Sequence, residues 1–144
     1  MTTKRKTQIV ILALSLGLSI PFSGNLFGGN SGLRLSALQA FYQEYNQDYF
    51  GNALPQDTII TVGSLGDNMG MTVLDSRNRW HITIDKYSNP IEKQAEMTLA
   101  HEMCHVKLKG TQSLTTDGVL DDHGEAFQSC MLNLAKRGAF KDLW

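Results

Sequence analysis

Residues 101–110 read HEMCHVKLKG, and the interpretation of the whole chain starts from this stretch. Its first five residues follow the pattern His-Glu-x-x-His. On an α-helix, positions four apart differ by only ~40° around the axis, so His101 and His105 present their imidazoles side by side. Two neutral imidazoles are good zinc ligands. Glu102 would border such a metal rather than bind it, close enough to accept a proton from a water molecule there.

A third ligand is expected downstream, because catalytic zinc generally uses three protein ligands and a water. The candidates are His123 and Glu125, which lie two positions apart on one predicted turn and therefore point in different directions. Glu125 has a ready structural role as the capping partner of Asp122, whereas His123 has no such local role. The residues favour His123 and leave Glu125 as the alternative. Cys104 is a less favoured fourth ligand, which would close the site and make it structural.

Upstream of this motif, the pattern predicts a helix followed by a small sheet. Apolar residues at spacings of three and four indicate a helix from about Leu33 to Phe50, ended by Gly51-Asn52. Its tyrosines are expected in the core. Three strands follow, at Thr58–Val62, Met69–Leu74 and Trp80–Ile84. The last two are joined by a polar turn, and the three are expected to form an antiparallel-type sheet.

Two helices are predicted after the strands. Ser88-Asn89-Pro90 is typical of a helix start, and this helix would run to about Lys109 and stop at Gly110. A polar loop, 111–120, separates it from a final helix that Asp122 and Glu125 would open as a capping box and that would end near Arg137. The order of one helix, three strands and two helices indicates an α+β domain.

The N-terminal region has the features of an export signal. No acidic residue precedes Glu44, and a basic cluster at 4–6 is followed by the apolar run Ile9–Ile20. That run fits the ~7–15 residues of a signal-peptide core and is short of the ~20 needed to span a bilayer. We expect residues 1–24 to be a signal peptide or a membrane anchor, residues 25–32 a flexible linker, and residues 33–144 an exported or anchored domain that faces outward.

Composition excludes several classes of protein. Hydrophobic residues make up 42% and charged residues 19% of the 144, which is ordinary for a globular domain and argues against disorder. Two cysteines are too few for a disulfide scaffold or a four-cysteine zinc site. Residues 33–144 are net acidic and carry no basic patch with interleaved aromatic residues, so we expect no nucleic-acid partner.

The same residues carry a family resemblance. HEMCHVKLKG at 101–110 and DDHGEAF at 121–127 are similar to the HExxH helix and the later His-Gly-x-x-aromatic element of the SprT-like zinc metallopeptidase domain, the catalytic module also found in the Spartan proteases. YFGNALP at 49–55 is similar to the aromatic-Gly-x-x-Leu-Pro segment of that family. The resemblance covers about residues 38–135.

This resemblance implies a compact zincin-like fold and a zinc-dependent endopeptidase acting on a protein or peptide substrate. It implies Zn²⁺ bound by His101, His105 and His123, with Glu102 as the general base. Two alternatives are a non-catalytic, zinc-stabilised binding domain and a DNA-associated protease of the Spartan kind. An edge strand of the sheet, either 69–74 or 80–84, would hold an extended substrate.

The two cysteines allow two interpretations. Cys104 and Cys130 would form a disulfide if the domain is exported. They would equally pack as two buried thiols, because free cysteine behaves as a small hydrophobic residue. We favour the thiols.

Overall fold

The computed structural model describes residues 33–109, 113–114, 120–121 and 123–143. The predicted export segment and linker, residues 1–24 and 25–32, lie outside this part of the chain. The fold is α+β, as predicted, and its elements follow in the order α1 (Leu35–Phe50), β1 (Ile59–Gly63), β2 (Gly70–Leu74), β3 (Trp80–Asp85), α2 (Glu92–Lys107), β4 (Ser113–Leu114), β5 (Leu120–Asp121) and α3 (Glu125–Lys136). Within the described part, no helix is both long and apolar enough to cross a bilayer.

The first helix forms as its periodicity predicts. Residues such as Leu38 and Tyr42 recur on one face, and that face is buried in the core. The helix ends where Gly51 adopts a left-handed conformation with φ of 60° and donates its N–H to the carbonyl of Asn46. The predicted helix and its stop are confirmed, with Leu35 as the first residue.

The three-stranded sheet has the order β1-β3-β2. Strands β2 and β3 pair in an antiparallel manner, as expected for strands joined by a short turn. Strand β1 pairs with β3 in a parallel manner, which corrects the expectation of an antiparallel-type sheet. The order of the strands explains this pairing. After β1 the chain forms β2 one strand position away, and it then returns to form β3 between the two. Among the described residues, β2 is therefore paired along one edge only, whereas β3 is paired along both.

One face of the sheet is buried beneath α2. Ile82 and Ile84 of β3 are fully buried there, together with Ile60 of β1. The opposite face is open, and on it the hydroxyls of Thr61 and Thr83 lie 3.0 Å apart in a hydrogen bond that bridges two strands. Residues of β2 that pair with buried positions of β3 consequently face α2.

The start of α2 differs from the prediction. We expected Ser88–Pro90 to open this helix, but it begins at Glu92. Asn89 is fully buried and is not a helix cap. Its amide donates a 2.9 Å hydrogen bond to the carbonyl of Met69, and its oxygen accepts one of 2.7 Å from the hydroxyl of Thr98. Asn89 thus ties the residue before β2 to the middle of α2.

The segment between α2 and α3 also differs from the prediction. The expected polar loop at 111–120 contains part of a short antiparallel ladder, formed by β4 and β5. Helix α3 begins at Glu125 with Gly124 as its N-cap residue and no side-chain cap. The predicted capping box is therefore wrong on the Glu125 side, and Asp122 lies outside the described residues. The pairing of β4 with β5 satisfies backbone N–H and C=O groups in a segment that the polar sequence pattern assigned to a loop.

The cysteines form a disulfide, which corrects our preference for two thiols. Cys104 on α2 and Cys130 on α3 are bonded, with their Cα atoms 6.0 Å apart. Both lie in the hydrophobic core, with exposures of 0% and 6%. Sequence could not decide the pairing, because it depends on how closely α2 and α3 pack. The disulfide also excludes Cys104 as a fourth metal ligand.

Candidate metal centre

Two of the predicted ligands lie on α2. His101 and His105 are one turn apart and partly exposed, although many other residues of α2 are buried. Their ring centroids are 5.1 Å apart, in an edge-to-face arrangement. The spacing of four residues therefore places both imidazoles on the same side of the helix, as predicted.

The third predicted ligand joins them from another element. His123 stands two residues before α3, and its Nε2 lies 3.0 Å from Nε2 of His101. One ligand nitrogen from each of the three histidines lies within 4.8 Å of the others. Glu125, the alternative, is exposed at the first residue of α3 and does not belong to this group.

The donor set fits a zinc ion. Two nitrogens bound to one tetrahedral zinc at ~2.0–2.1 Å lie about 3.4 Å apart, close to the separation of the His101 and His123 nitrogens. Three neutral imidazoles are borderline-soft donors of the kind that zinc prefers. The three histidines of this chain could therefore hold a metal, and zinc suits them.

Phe127 contacts the imidazole rings of all three histidines. Its ring centroid lies 4.6 Å from that of His101, 4.5 Å from that of His105 and 4.7 Å from that of His123. It is 5% exposed, so it forms part of the core as well as the base of the site. Phe127 is the aromatic residue of the His-Gly-x-x-aromatic pattern, but its contact with the histidines was not anticipated. One apolar ring thus restricts the orientation of every predicted ligand.

Glu102 is buried beside strand β2. The residue is 5% exposed, and its Oε2 accepts a 2.6 Å hydrogen bond from the hydroxyl of Thr72. On the same strand, a Cβ added to Gly70 would lie 2.6 Å from Oε1 of Glu102. Neither Thr72 nor Gly70 was predicted to belong to the site, because both contacts join a strand to a helix that follows it by many residues.

A cleft of roughly 700 Å³ runs between β2, α2 and the residues around α3. The three histidines and Glu102 line it. Much of the remaining lining is apolar, and its largest apolar members are Met69, Met71, Trp80, Met97 and Met131. Residues 70–72 of β2 form one wall, so that strand borders the candidate metal centre.

The tyrosines and the fourth histidine of the chain lie elsewhere. Tyr42 and Tyr45 are buried in the core, as predicted, whereas Tyr49 is partly buried against it and Tyr87 is 70% exposed. All four tyrosines belong to the described residues, and none lines the cleft. His81 lies on β3 and hydrogen-bonds to the carboxylate of Asp75 at 2.9 Å, so its ring belongs to the turn between β2 and β3.

Fold and site together define a small α+β domain with a three-histidine cluster that could bind a metal, on a helix carrying the HExxH pattern. The chain belongs to the SprT-like family, whose model matches residues 38–141. A search of curated proteins returns no match to the chain. Family membership is consistent with a protease and confirms the resemblance seen in the sequence.

Proposed function

We propose that this protein is a zinc-dependent endopeptidase. The observation that carries the proposal is the convergence of His101, His105 and His123 next to a buried glutamate, in a cleft open to solvent. Three protein ligands leave a coordination position for chemistry, whereas a structural zinc site is closed by four. Membership of the SprT-like family supports the same reading.

In this proposal the three histidines hold Zn²⁺ and Glu102 is the general base. When bound, zinc polarises the carbonyl of the peptide and lowers the pKa of a water molecule toward about 7. Glu102 accepts the proton released during attack on the carbonyl carbon and passes it to the leaving amine nitrogen. Glu102 lines the same cleft as the three histidines, which places it beside the position that the metal would occupy.

The substrate would lie along the edge of β2 that no described strand occupies. Of the two strands considered from sequence, β3 is paired on both sides and β2 on one, within the part of the chain that the structure describes. An extended peptide can add to such an edge through main-chain hydrogen bonds, which bind a backbone of any sequence. The strand that would bind the peptide also contacts Glu102 through Thr72, so β2 would contact both the substrate and the general base.

Zinc content and peptidase activity of the full chain test this function. We expect one zinc per chain in the wild type and in Glu102→Gln, and a greatly weakened affinity in His123→Ala. Glu125→Gln is the matched control at the competing position and should retain both zinc and activity. Hydrolysis of a fluorescein-labelled unfolded protein should fall by about 10²–10⁴-fold in Glu102→Gln, the usual contribution of a general base.

Each alternative outcome points to a different function. Cleavage retained in Glu102→Gln would remove that residue from the mechanism. A wild type that binds one zinc and cleaves nothing would support a zinc-stabilised binding domain instead. Zinc retained in His123→Ala but lost in Glu125→Gln would move the third ligand to Glu125.

A further inference from the structure

Both oxygens of the Glu102 carboxylate face strand β2, and the strand has a different feature opposite each of them. We propose that Thr72 and Gly70 are positioning residues that set the carboxylate of Glu102 for proton transfer. The inference rests on the proposed function and deepens it, since it names what fixes the general base. Neither residue would touch the reacting atoms.

Thr72 holds one oxygen. It pairs with Ile82 in the antiparallel ladder and so faces α2, where its hydroxyl lies 2.6 Å from Oε2 of Glu102. A hydroxyl bond to a carboxylate is charge-assisted and is therefore among the stronger side-chain hydrogen bonds. Because threonine is branched at Cβ, its hydroxyl has few available directions. The strand therefore presents a donor that is already oriented.

Gly70 makes room for the other oxygen. An added Cβ would stand 2.6 Å from Oε1 of Glu102 and 2.8 Å from Cγ2 of Thr98, both closer than real Cβ contacts. The backbone of Gly70 is not in the left-handed region that favours glycine, since the glycines with positive φ are others. Space for the carboxylate, rather than chain conformation, accounts for glycine at this position.

A third contact keeps the strand and the helix in register. Asn89 accepts a hydrogen bond from Thr98 on α2 and donates one to the carbonyl of Met69, the residue before Gly70. Asn89 and Thr98 are buried, so water competes little for these bonds. These two hydrogen bonds therefore fix the distance between β2 and α2 next to Gly70 and Thr72.

Thr72→Val and Thr72→Ser separate the hydroxyl from the shape of the side chain. We expect Thr72→Val to lower kcat roughly 10- to 100-fold with KM within about twofold and zinc content unchanged, as loss of a hydrogen bond to a charged group implies. Thr72→Ser should restore most of the activity. Thr83→Val is the matched control, because its hydroxyl bonds to Thr61 on the open face of the sheet, and it should leave kcat unchanged.

Combining the Thr72 and Glu102 substitutions in one protein tests the proposal more sharply than the single variants do. If Thr72 acts through Glu102, then Thr72→Val added to Glu102→Gln should cause no further loss of kcat. A further loss of the same size as in the wild-type background would mean that Thr72 acts elsewhere, and would overturn the proposal. So would a Thr72→Val enzyme with wild-type kcat.

Gly70→Ala tests the second contact. We expect at least a tenfold loss of kcat with zinc retained, because the carboxylate must move away from the new methyl group. Gly63→Ala is its control: that glycine lies on β1, and an added Cβ would meet its nearest atom at 3.4 Å. Wild-type kcat in Gly70→Ala would overturn the role of Gly70. If Gly70→Ala does not fold, the Thr72 variants still decide the proposal.

A crystal structure of zinc-loaded Thr72→Val makes the test independent of activity. We expect the Glu102 carboxylate displaced from β2 in this variant and unmoved in Thr83→Val. An unmoved carboxylate in Thr72→Val would overturn the positioning role even if the wild type proves inactive. A displaced carboxylate in a protein that cleaves nothing would sustain the positioning role and reject the endopeptidase function.

Discussion

Asp85 is a buried carboxylate at the end of β3 whose hydrogen-bond partners include three backbone amides. Oδ1 accepts from the N–H of Leu65 at 2.7 Å, and Oδ2 accepts from those of Tyr87 at 2.9 Å and Ser88 at 2.6 Å. The N–H groups of Ser88 and then Leu65 hold the pKa of this carboxyl below its ordinary value. Asp85 therefore organises both the loop after β1 and the connection from β3 to α2.

Asp85→Asn should destabilise the protein in a pH-dependent manner. Because the pKa of Asp85 is lower in the folded than in the unfolded state, its contribution is present above the unfolded pKa of ~3.9 and is lost as pH falls through the folded pKa. Urea unfolding of the metal-free wild type and variant should show a gap in stability at pH 7 that narrows below about pH 4. A gap that does not change with pH would contradict this role for the charge.

At the scale of single residues, local spacing predicts some features of the site and not others. The four-residue interval between His101 and His105 is a property of one helix, so sequence was sufficient to predict their proximity. Gly70 became part of the site only through a contact with another element. The segment Ser88–Pro90 was predicted to start α2 because its pattern is locally typical, whereas Asn89 instead bonds to Met69, which is 20 positions away.

At the scale of elements, α2 and α3 are held together around the candidate metal centre. The disulfide joins Cys104 to Cys130, and Phe127 on α3 lies against the rings of the histidines on α2. The sequence predicted each helix from its own periodicity. The parallel pairing of β1 with β3 and the covalent link between the helices are tertiary features, which periodicity within one element does not encode.

Reduction of the disulfide should lower the free energy of unfolding of the metal-free protein by about 3–4 kcal/mol. The two cysteines are 26 positions apart, and closing a loop of that length restricts the unfolded chain by about this amount. Urea unfolding with and without a phosphine reductant measures the change. The Cys104→Ser/Cys130→Ser double variant is the control and should not respond to the reductant. Two reactive thiols in unfolded, unreduced wild type would contradict the disulfide.

At the scale of the whole molecule, the cleft brings apolar residues from several elements to both sides of the histidines. Met97 lies one turn before His101 on α2, and Met131 lies one turn after Phe127 on α3. Methionine adapts to varied apolar partners, because it is unbranched and polarisable. The cleft should therefore accept apolar side chains of different shapes and disfavour charged ones.

A peptide library measures this preference. We expect peptides with an apolar residue next to the cleaved bond to have a kcat/KM at least about tenfold higher than those with aspartate or lysine there, the discrimination usual for an apolar pocket. Met97→Glu should reduce the preference and leave zinc content unchanged. Leu132→Glu is the control, since Leu132 is exposed on α3 and does not line the cleft. Equal cleavage of apolar and charged peptides would contradict the role of the lining.

Two features lead us to propose that this domain works outside the cytoplasm. The sequence begins with a basic cluster at 4–6 and the apolar run Ile9–Ile20, the pattern of an export signal. The disulfide between Cys104 and Cys130 is a bond that persists in oxidising compartments and is rare in the cytosol. We therefore expect the full chain, produced in bacterial cells, to be exported or anchored with residues 33–144 facing outward.

Acid quenching of whole cells followed by maleimide labelling tests this expectation. The cysteines of the full chain should be oxidised and the domain accessible to protease in spheroplasts, whereas a chain lacking residues 1–32 should remain inside with both thiols labelled. The mass of the recovered protein then distinguishes a cleaved signal from a retained anchor. A full chain that stays in the cytoplasm with free thiols would contradict export, and would require the domain to fold around two reduced cysteines in the packed core between α2 and α3.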